Sequence, residues 1–379
     1  MKHALVAAAA ALLACPLAAE PAGEVVLTIP STAQFPRNSE GSFATLKSGR
    51  IIFCYSQFFG GSGDDSSARI AEVHSDDQGR TWSSPGAFAE KGEAANLMSV
   101  SLLRLASGKL AIFYIVKRAG GWLQADPVMR ISSDEGATWS DPRRVVAAPG
   151  YWELNNDRAV QLRGGRIILP VARYRSRGME DTEASFDPRG IVFWFYSDDE
   201  GATWRESNSW WGCPAPSRGG LQEPGVVELA DGSLLSWART DLGCQFSFRS
   251  SDGGLTWSPP EPTELRSPMS PASIKRLPGS VSLLAVYNDH SGFFPFASDG
   301  NPYRGRTPLV AAVSADGGRT WPLRRLLEGD STGAFAYIAI HFAGNAALLA
   351  YTVGIPNGPS LGTLRIRRVP VPWLLGNGR

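Results

Sequence analysis

Ser197-Asp198-Asp199-Glu200-Gly201-Ala202-Thr203-Trp204 is one of five copies of the pattern S-x-D-x-G-x-T-W, the others being Ser75–Trp82, Ser132–Trp139, Ser250–Trp257 and Ser314–Trp321. Their tryptophans lie 57, 65, 53 and 64 residues apart, a period that marks a repeat architecture. Each copy has the chemistry of a stapled turn. The Asp accepts backbone N–H bonds, the Gly takes up positive φ, Ser and Thr close the turn, and the Trp pins it to the layer behind. Five widely spaced copies suit a scaffold better than a metal or catalytic centre, so the boxes are expected on outer turns away from any pocket.

Between the boxes, short apolar runs follow glycine-containing turns. Lys47-Ser48-Gly49, Ala106-Ser107-Gly108, Arg163-Gly164-Gly165, Ala230-Asp231-Gly232, Pro278-Gly279 and Gly344-Asn345 each lead into a strand. Six such hairpins, a period near 60 residues and four strands per unit predict an all-β fold, a six-bladed β-propeller with four-stranded antiparallel blades. The sixth unit lacks a box, which follows if it is closed by both chain ends, near Glu24–Ile29 and Leu361–Val369. Trp210-Trp211 and the Pro/Gly-rich Cys213–Gly220 read as a loop before the fourth blade, either packed or forming a rim for a sugar ring. Arg173–Arg189 reads as a solvated loop able to shape specificity.

Composition bounds the rest. Hydrophobic residues make up 43% of the 379 positions and charged residues 19%, with 41 Gly and 27 Pro, as expected of many short strands joined by turns. Lys plus Arg (37) nearly balance Asp plus Glu (36), which argues against a nucleic-acid partner. Residues 1–19 read as an export signal: Met1-Lys2-His3 is basic, Ala4–Leu17 is too short to span a membrane, and Leu17-Ala18-Ala19 offers small residues for cleavage. The remainder, 20–379, is expected to be a single domain, secreted or periplasmic. Leu12-Leu13-Ala14-Cys15 matches a lipoprotein box poorly, so lipid anchoring through Cys15 is the lesser alternative. Cys54, Cys213 and Cys244 permit at most one disulfide, and neither a C-x-x-C nor an H-x-x-x-H spacing suggests a metal.

Several residues outside the boxes carry chemistry. In order they are Arg37, Asp64 and Asp65 after the Gly60-Gly61-Ser62-Gly63 run, Glu223, Arg239, Arg306 just before the fifth box, and Tyr337 in the last repeat. Taken singly, each has an ordinary structural reading: surface ion pair, solvated turn or core tyrosine. Their succession along the repeats resembles the exo-sialidase (neuraminidase) superfamily over nearly the whole chain past the leader. The resemblance implies that Arg37, Arg239 and Arg306 meet at the propeller axis on the carboxylate of a sialic acid, where planar guanidinium forks bind bidentately and stay charged. It further implies Tyr337 as nucleophile and Glu223 as its base, the known exception to the two-carboxylate glycosidase scheme. A phenol suits a substrate whose own carboxylate would repel an anionic nucleophile.

The same resemblance implies an Asp as acid in the loop after the first hairpin. Asp64 is preferred over Asp65 because it follows the flexible glycine run. Asn96, Asn155, Asn156 and Arg158 depart from the family pattern by placing polar groups at strand starts, where they are expected to line the substrate pocket. Arg158 is expected either as a fourth basic contact to the substrate or as a structural partner of Asp157. Phe35-Pro36-Arg37-Asn38 keeps the family's Arg but not its Ile-Pro, which marks a divergent bacterial-type branch. The implied function is release of terminal sialic acid, or a related nonulosonic acid, from an acidic glycan with retention and without a cofactor. The alternatives are a hydrolase or lyase for another carboxylated sugar, or a sugar-binding propeller that has lost catalysis.

Overall fold

The computed structural model describes residues 23–119, 123–296, 305–354 and 361–376. The expected leader, with Cys15, lies outside them. The described chain folds as six four-stranded antiparallel blades, as its repeats predict. Blade one comprises Arg37–Thr45, Ile51–Phe58, Ala68–Ser75 and Gly86–Ala89. Blade two comprises Asn96–Arg104, Leu110–Lys117, Ala125–Ser132 and Arg143–Arg144. In blade three the innermost strand is split into Tyr151–Glu153 and Val160–Gln161, followed by Ile167–Ser176, Phe186–Ser197 and Arg205–Trp211. Blade four runs Gln222–Glu228, Leu234–Arg239, Cys244–Ser250 and Glu261–Arg266. Blade five runs Ser273–Arg276, Leu283–Asn288, Leu309–Ser314 and Leu323–Glu328. Blade six takes Ala334–Ala343, Ala346–Gly354 and Thr363–Pro370, and the N-terminal strand Glu24–Ile29 pairs antiparallel with the last of these to close the ring.

Apolar side chains from facing sheets form six clusters. One joins blades six and one through Phe43, Phe53, Leu348 and Ile366, and another joins blades three and four through Trp194, Phe248 and Trp257. The glycine turns behave alike: the N–H of Leu46, Leu105, Leu162 and Leu229 donates to the carbonyl four residues on, closing the first hairpin of its blade. All three described cysteines are free thiols.

The boxes form the expected turns. Asp77 Oδ1 accepts from the backbone N–H of Arg80 and Thr81 at 2.9 Å, its Oδ2 accepts from Thr81 Oγ1 at 2.7 Å, and Ser75 Oγ accepts from the Gly79 N–H at 2.9 Å. The indoles of Trp82, Trp139 and Trp257 donate to the carbonyl of the box glycine at 3.1–3.3 Å. Gln78, Glu135 and Glu200, each just before that glycine, adopt left-handed φ of 62°, 62° and 55°. Such backbone costs non-glycine residues about 1 kcal/mol or more. Two of these side chains offset it by bonding to the preceding blade: Glu135 accepts from the Lys47 N–H at 2.7 Å, and Glu200 from the Ser107 N–H at 3.2 Å.

Two expected loops are strand in part, while residues 212–219 and 177–185 stay outside the strands. Trp210 and Trp211 end the outer strand of blade three; Trp211 donates to the Trp257 carbonyl, whereas Trp210 is 58% exposed. Much of Arg173–Arg189 is a long hairpin in which Tyr174 is buried while Arg173 and Arg175 face solvent, the alternation of a strand. Its charges are not merely solvated, because Arg175, Arg177 and Arg189 converge on the buried Asp187.

Candidate active site

The innermost strands carry polar stretches such as Arg37-Asn38-Ser39-Glu40 that are nonetheless buried, because they line the axis and satisfy one another. In blades one, two, four and six the register of the first hairpin slips, between Ser39 and Ser42, Met98 and Ser101, Gln222 and Gly225, and Ala336 and Ala339. Each slip contains a left-handed residue: Glu40 at φ 55°, Ser99 at 60°, Glu223 at 49° and Tyr337 at 56°. In blade three Asp157, at 60°, occupies the break in the innermost strand. Bulges of this kind turn a side chain out of the pleat, and here they deliver Glu223 and Tyr337 to the axis.

Around Tyr337 the expected residues come together. The guanidinium of Arg306 lies 5.5 Å from the centre of the phenol ring. Arg239 Nη1 lies 2.8 Å from Glu223 Oε2, and Arg37 and Arg239 are both near enough to feel the phenol's charge were it to ionise. The contact between Arg239 and Glu223 is close enough for an ion pair but not aligned as a hydrogen bond, so both atoms keep bonding capacity toward a ligand. Burial pushes the Tyr337 hydroxyl above the ordinary tyrosine range, Glu223 adds to the shift, and Arg306 and Arg239 oppose it. The phenol is therefore neutral at rest and needs a base to become a nucleophile.

Arg37 is held on every side. Its Nε donates to Ser39 Oγ at 3.0 Å, Nη2 to Glu40 Oε1 at 2.8 Å, and Nη1 to Asp64 Oδ1 at 2.6 Å, while Phe58 lies 4.2 Å beneath the guanidinium. Glu40 went unnoticed in the sequence, though a charged residue within a strand core is itself a signal. Burial pushes its carboxyl up to about 7 against the pull of Arg37, and its Oε2 has no hydrogen-bond partner.

Asp64 and Asp65 both reach the wall of a 280 Å³ cavity shared with Lys117, Tyr151, Glu153, Tyr174, Phe186, Gln222 and Arg239. No box residue lines it. Loss of solvent acts to raise the Asp64 carboxyl, but Arg37 and Lys117 outweigh it and hold Asp64 below its ordinary value. Lys117 Nζ donates to the Asp64 carbonyl at 2.9 Å, and burial lowers its ammonium from the usual lysine range. Glu153 accepts from Tyr174 Oη at 2.6 Å and is pushed up to about 8, chiefly by loss of solvent and then by the charge of Glu223. Gln222 Oε1 accepts from Arg239 Nε at 2.9 Å, which orients that guanidinium. Lys117 was legible in principle, since it pairs with Asn96 at the open end of its hairpin as Arg239 pairs with Gln222.

The remaining expected residues sit beneath the pocket. Asn156 Nδ2 donates to the carbonyls of Gly41 and Tyr337 at 2.9 and 3.3 Å, bracing the Tyr337 bulge from across the axis. Asn96 Nδ2 donates to the carbonyls of Asp64 and Ser66 at 2.8 and 3.0 Å and so anchors the acid loop. Arg158 fits neither reading weighed for it. Its fork donates to Ser273 Oγ at 2.9 Å and the Ala272 carbonyl at 2.8 Å, while Asp157 holds Lys275 at 2.7 Å. Burial of Arg158 against blade five, 3% exposed, makes it a brace between blades rather than a contact for substrate.

Residues 50–349 match the family described as BNR repeat-like domain. The anhydrosialidase of Macrobdella decora is 32% identical over 143 residues, covering 34% of this chain and 16% of that protein. The sialidase of Micromonospora viridifaciens is 25% identical over 348 residues, 81% of this chain and 47% of that one. The chain thus spans less than half the length of either relative. In fold, it superposes on the leech intramolecular trans-sialidase complexed with 2,7-anhydro-Neu5Ac with a TM-score of 0.71 at 16% identity, over 94% of this chain and 71% of that one.

Proposed function

The chain belongs to the BNR repeat-like domain family, folded as a propeller of the exo-sialidase superfamily, and on that premise we propose that it is an exo-glycosidase releasing a terminal sialic acid, or a closely related carboxylated sugar, from a glycan. The observation that carries this reading is the convergence of Arg37, Arg239, Arg306 and Glu223 on the Tyr337 phenol. Three guanidinium groups supply the planar, permanently charged donors that a sugar carboxylate needs. As Tyr337 Oη attacks the anomeric carbon, Glu223 takes its proton and the arginines stabilise the charge that develops. Asp64 gives a proton to the leaving oxygen. Water then attacks the glycosyl-tyrosine with Asp64 as base, regenerating Tyr337 as the leaving phenolate recovers its proton from Glu223; two displacements give retention.

Tyr337→Phe tests the reading, because it removes one oxygen and keeps the ring. Hydrolysis of a fluorogenic sialoside is expected to fall by orders of magnitude, and a fluorinated sialic acid should add its mass to the peptide containing Tyr337. Full activity in the variant, or an adduct on Glu223, would return the field to other carboxylated sugars. A second reading rests on the relatives: the names of the Macrobdella decora protein and of the leech structure point to an anhydro sugar made by intramolecular transfer. Chromatography of the products separates free from 2,7-anhydro sialic acid and decides between the two.

A further inference from the structure

A second, larger cavity of about 800 Å³ opens beside the site, between blades two and three, and shares the walls Tyr151 and Tyr174 with the pocket of Asp64 and Asp65. It runs outward beneath the long hairpin of blade three to Trp210. The indole of Trp210 stacks on Phe193, ring centres 6.1 Å apart and planes within 22°, yet remains 58% exposed. One face is therefore supported and the other is free. Arg173, resting 5.1 Å over the Trp152 ring, and Glu206 line the same cavity and present opposite charges to it. Arg175 is paired with Asp187, and Glu180 and Asp181 line the cavity as well, so acidic groups outnumber the one unpaired basic group and the wall disfavours a further anion.

We propose that this groove is a subsite for the leaving-group side of the substrate, binding neutral sugars beyond the cleaved bond with a pyranose face on Trp210 and hydroxyls between Arg173 and Glu206. The inference rests on the glycosidase reading for its direction: the proton donor and the groove share a wall, so the bond protonated by Asp64 leads into it. A supported aromatic face flanked by charged hydrogen-bonding groups matches a sugar, which has an apolar C–H face and a polar edge. The volume suits a di- or trisaccharide better than a single ring.

The test compares two substrates in wild type, Trp210→Ala and Trp210→Phe. On sialyllactose, Trp210→Ala should lose about threefold to tenfold in kcat/KM, carried by KM, as expected for one aromatic contact. On an aryl sialoside, which lacks sugars beyond the bond, it should match wild type within about twofold, and Trp210→Phe should recover most of the loss. Equal losses on both substrates, or none on sialyllactose, overturn the subsite. If wild type cleaves no sialoside, the proposed function fails while the groove is still judged, by titrating free lactose against the indole N–H signal of Trp210. A saturable shift, absent in Trp210→Ala, supports a neutral-glycan groove; no shift overturns it.

Discussion

Asp64 rests on Arg37, and under the proposed mechanism this contact would tie binding of a substrate carboxylate to acid catalysis. While the ion pair lasts, Arg37 holds Asp64 ionised and unable to donate a proton. A carboxylate that takes Asp64's place on the guanidinium removes the first of the positive charges acting on Asp64, leaving Lys117, and so shifts it toward its protonated form. Asp64→Asn should therefore have two separable effects. It should lower the rate on substrates with poor leaving groups by orders of magnitude and on activated aryl sialosides far less, because only the former need protonation. It should also lower KM for both, since nothing then competes for Arg37; an unchanged or raised KM would refute the competition. Asp65→Asn, which leaves the Arg37 pair intact, should be mild in both respects. The arginines, Glu223 and Tyr337 were picked out in the sequence through the resemblance of their order to the exo-sialidase superfamily, each having an ordinary structural reading when taken singly. Glu40, Glu153 and Lys117 were passed over, although a charge inside a strand core and a pairing at a hairpin's open end are readable signals, because simple alternation does not reveal register slips and strand ends.

The five boxes share one sequence pattern but differ in burial, and their energetic weight should differ too. Trp257 is 4% exposed and stacks on Trp194 with ring centres 4.4 Å apart, whereas Trp204 is only half-buried beside Phe113. Trp257→Ala should cost about 3–5 kcal/mol, the range for emptying a filled aromatic site, and Trp204→Ala about half of that. Urea unfolding of both variants checks the order; equal losses would mean that the turn bonds, not the indole, set the contribution. The box, the glycine turns and the six-fold count were readable because each is local chemistry repeated at a fixed period. The two ends of Arg173–Arg189 were misread as loop because their exposed arginines hide the strand alternation, and the common partner Asp187 is a tertiary fact.

For the whole molecule, two sets of carboxyls set opposite limits on stability with pH. Asp134 and Asp199, held down to about 2 mainly by their threonine partners, sit below their ordinary value of 3.8. Their contribution is present above pH 3.8 and is lost as pH falls through 2. Glu40 and Glu153 are raised from 4.5 to about 7 and about 8, so the folded state keeps protons that the unfolded chain releases, and stability declines as pH rises from 4.5 through 8. The thermal midpoint should therefore peak near about pH 4 and fall on either side. Glu153→Gln, which keeps an acceptor for Tyr174, should flatten the alkaline limb and leave the acid limb untouched. An unaltered alkaline limb would remove Glu153 from that account.

Ring closure has a consequence in time. The strand Glu24–Ile29 emerges from synthesis hundreds of residues before its partner Thr363–Pro370. Five blades can each form from contiguous chain as they are made, while this one pairing waits for segments separated by the whole of the propeller. Until then the last sheet presents a bare edge, and a neighbouring molecule's first strand fits it as well as the chain's own. Completing the seam is thus the late step of folding and the moment at which crowding and concentration decide between a closed ring and two chains joined by exchange of their first strands.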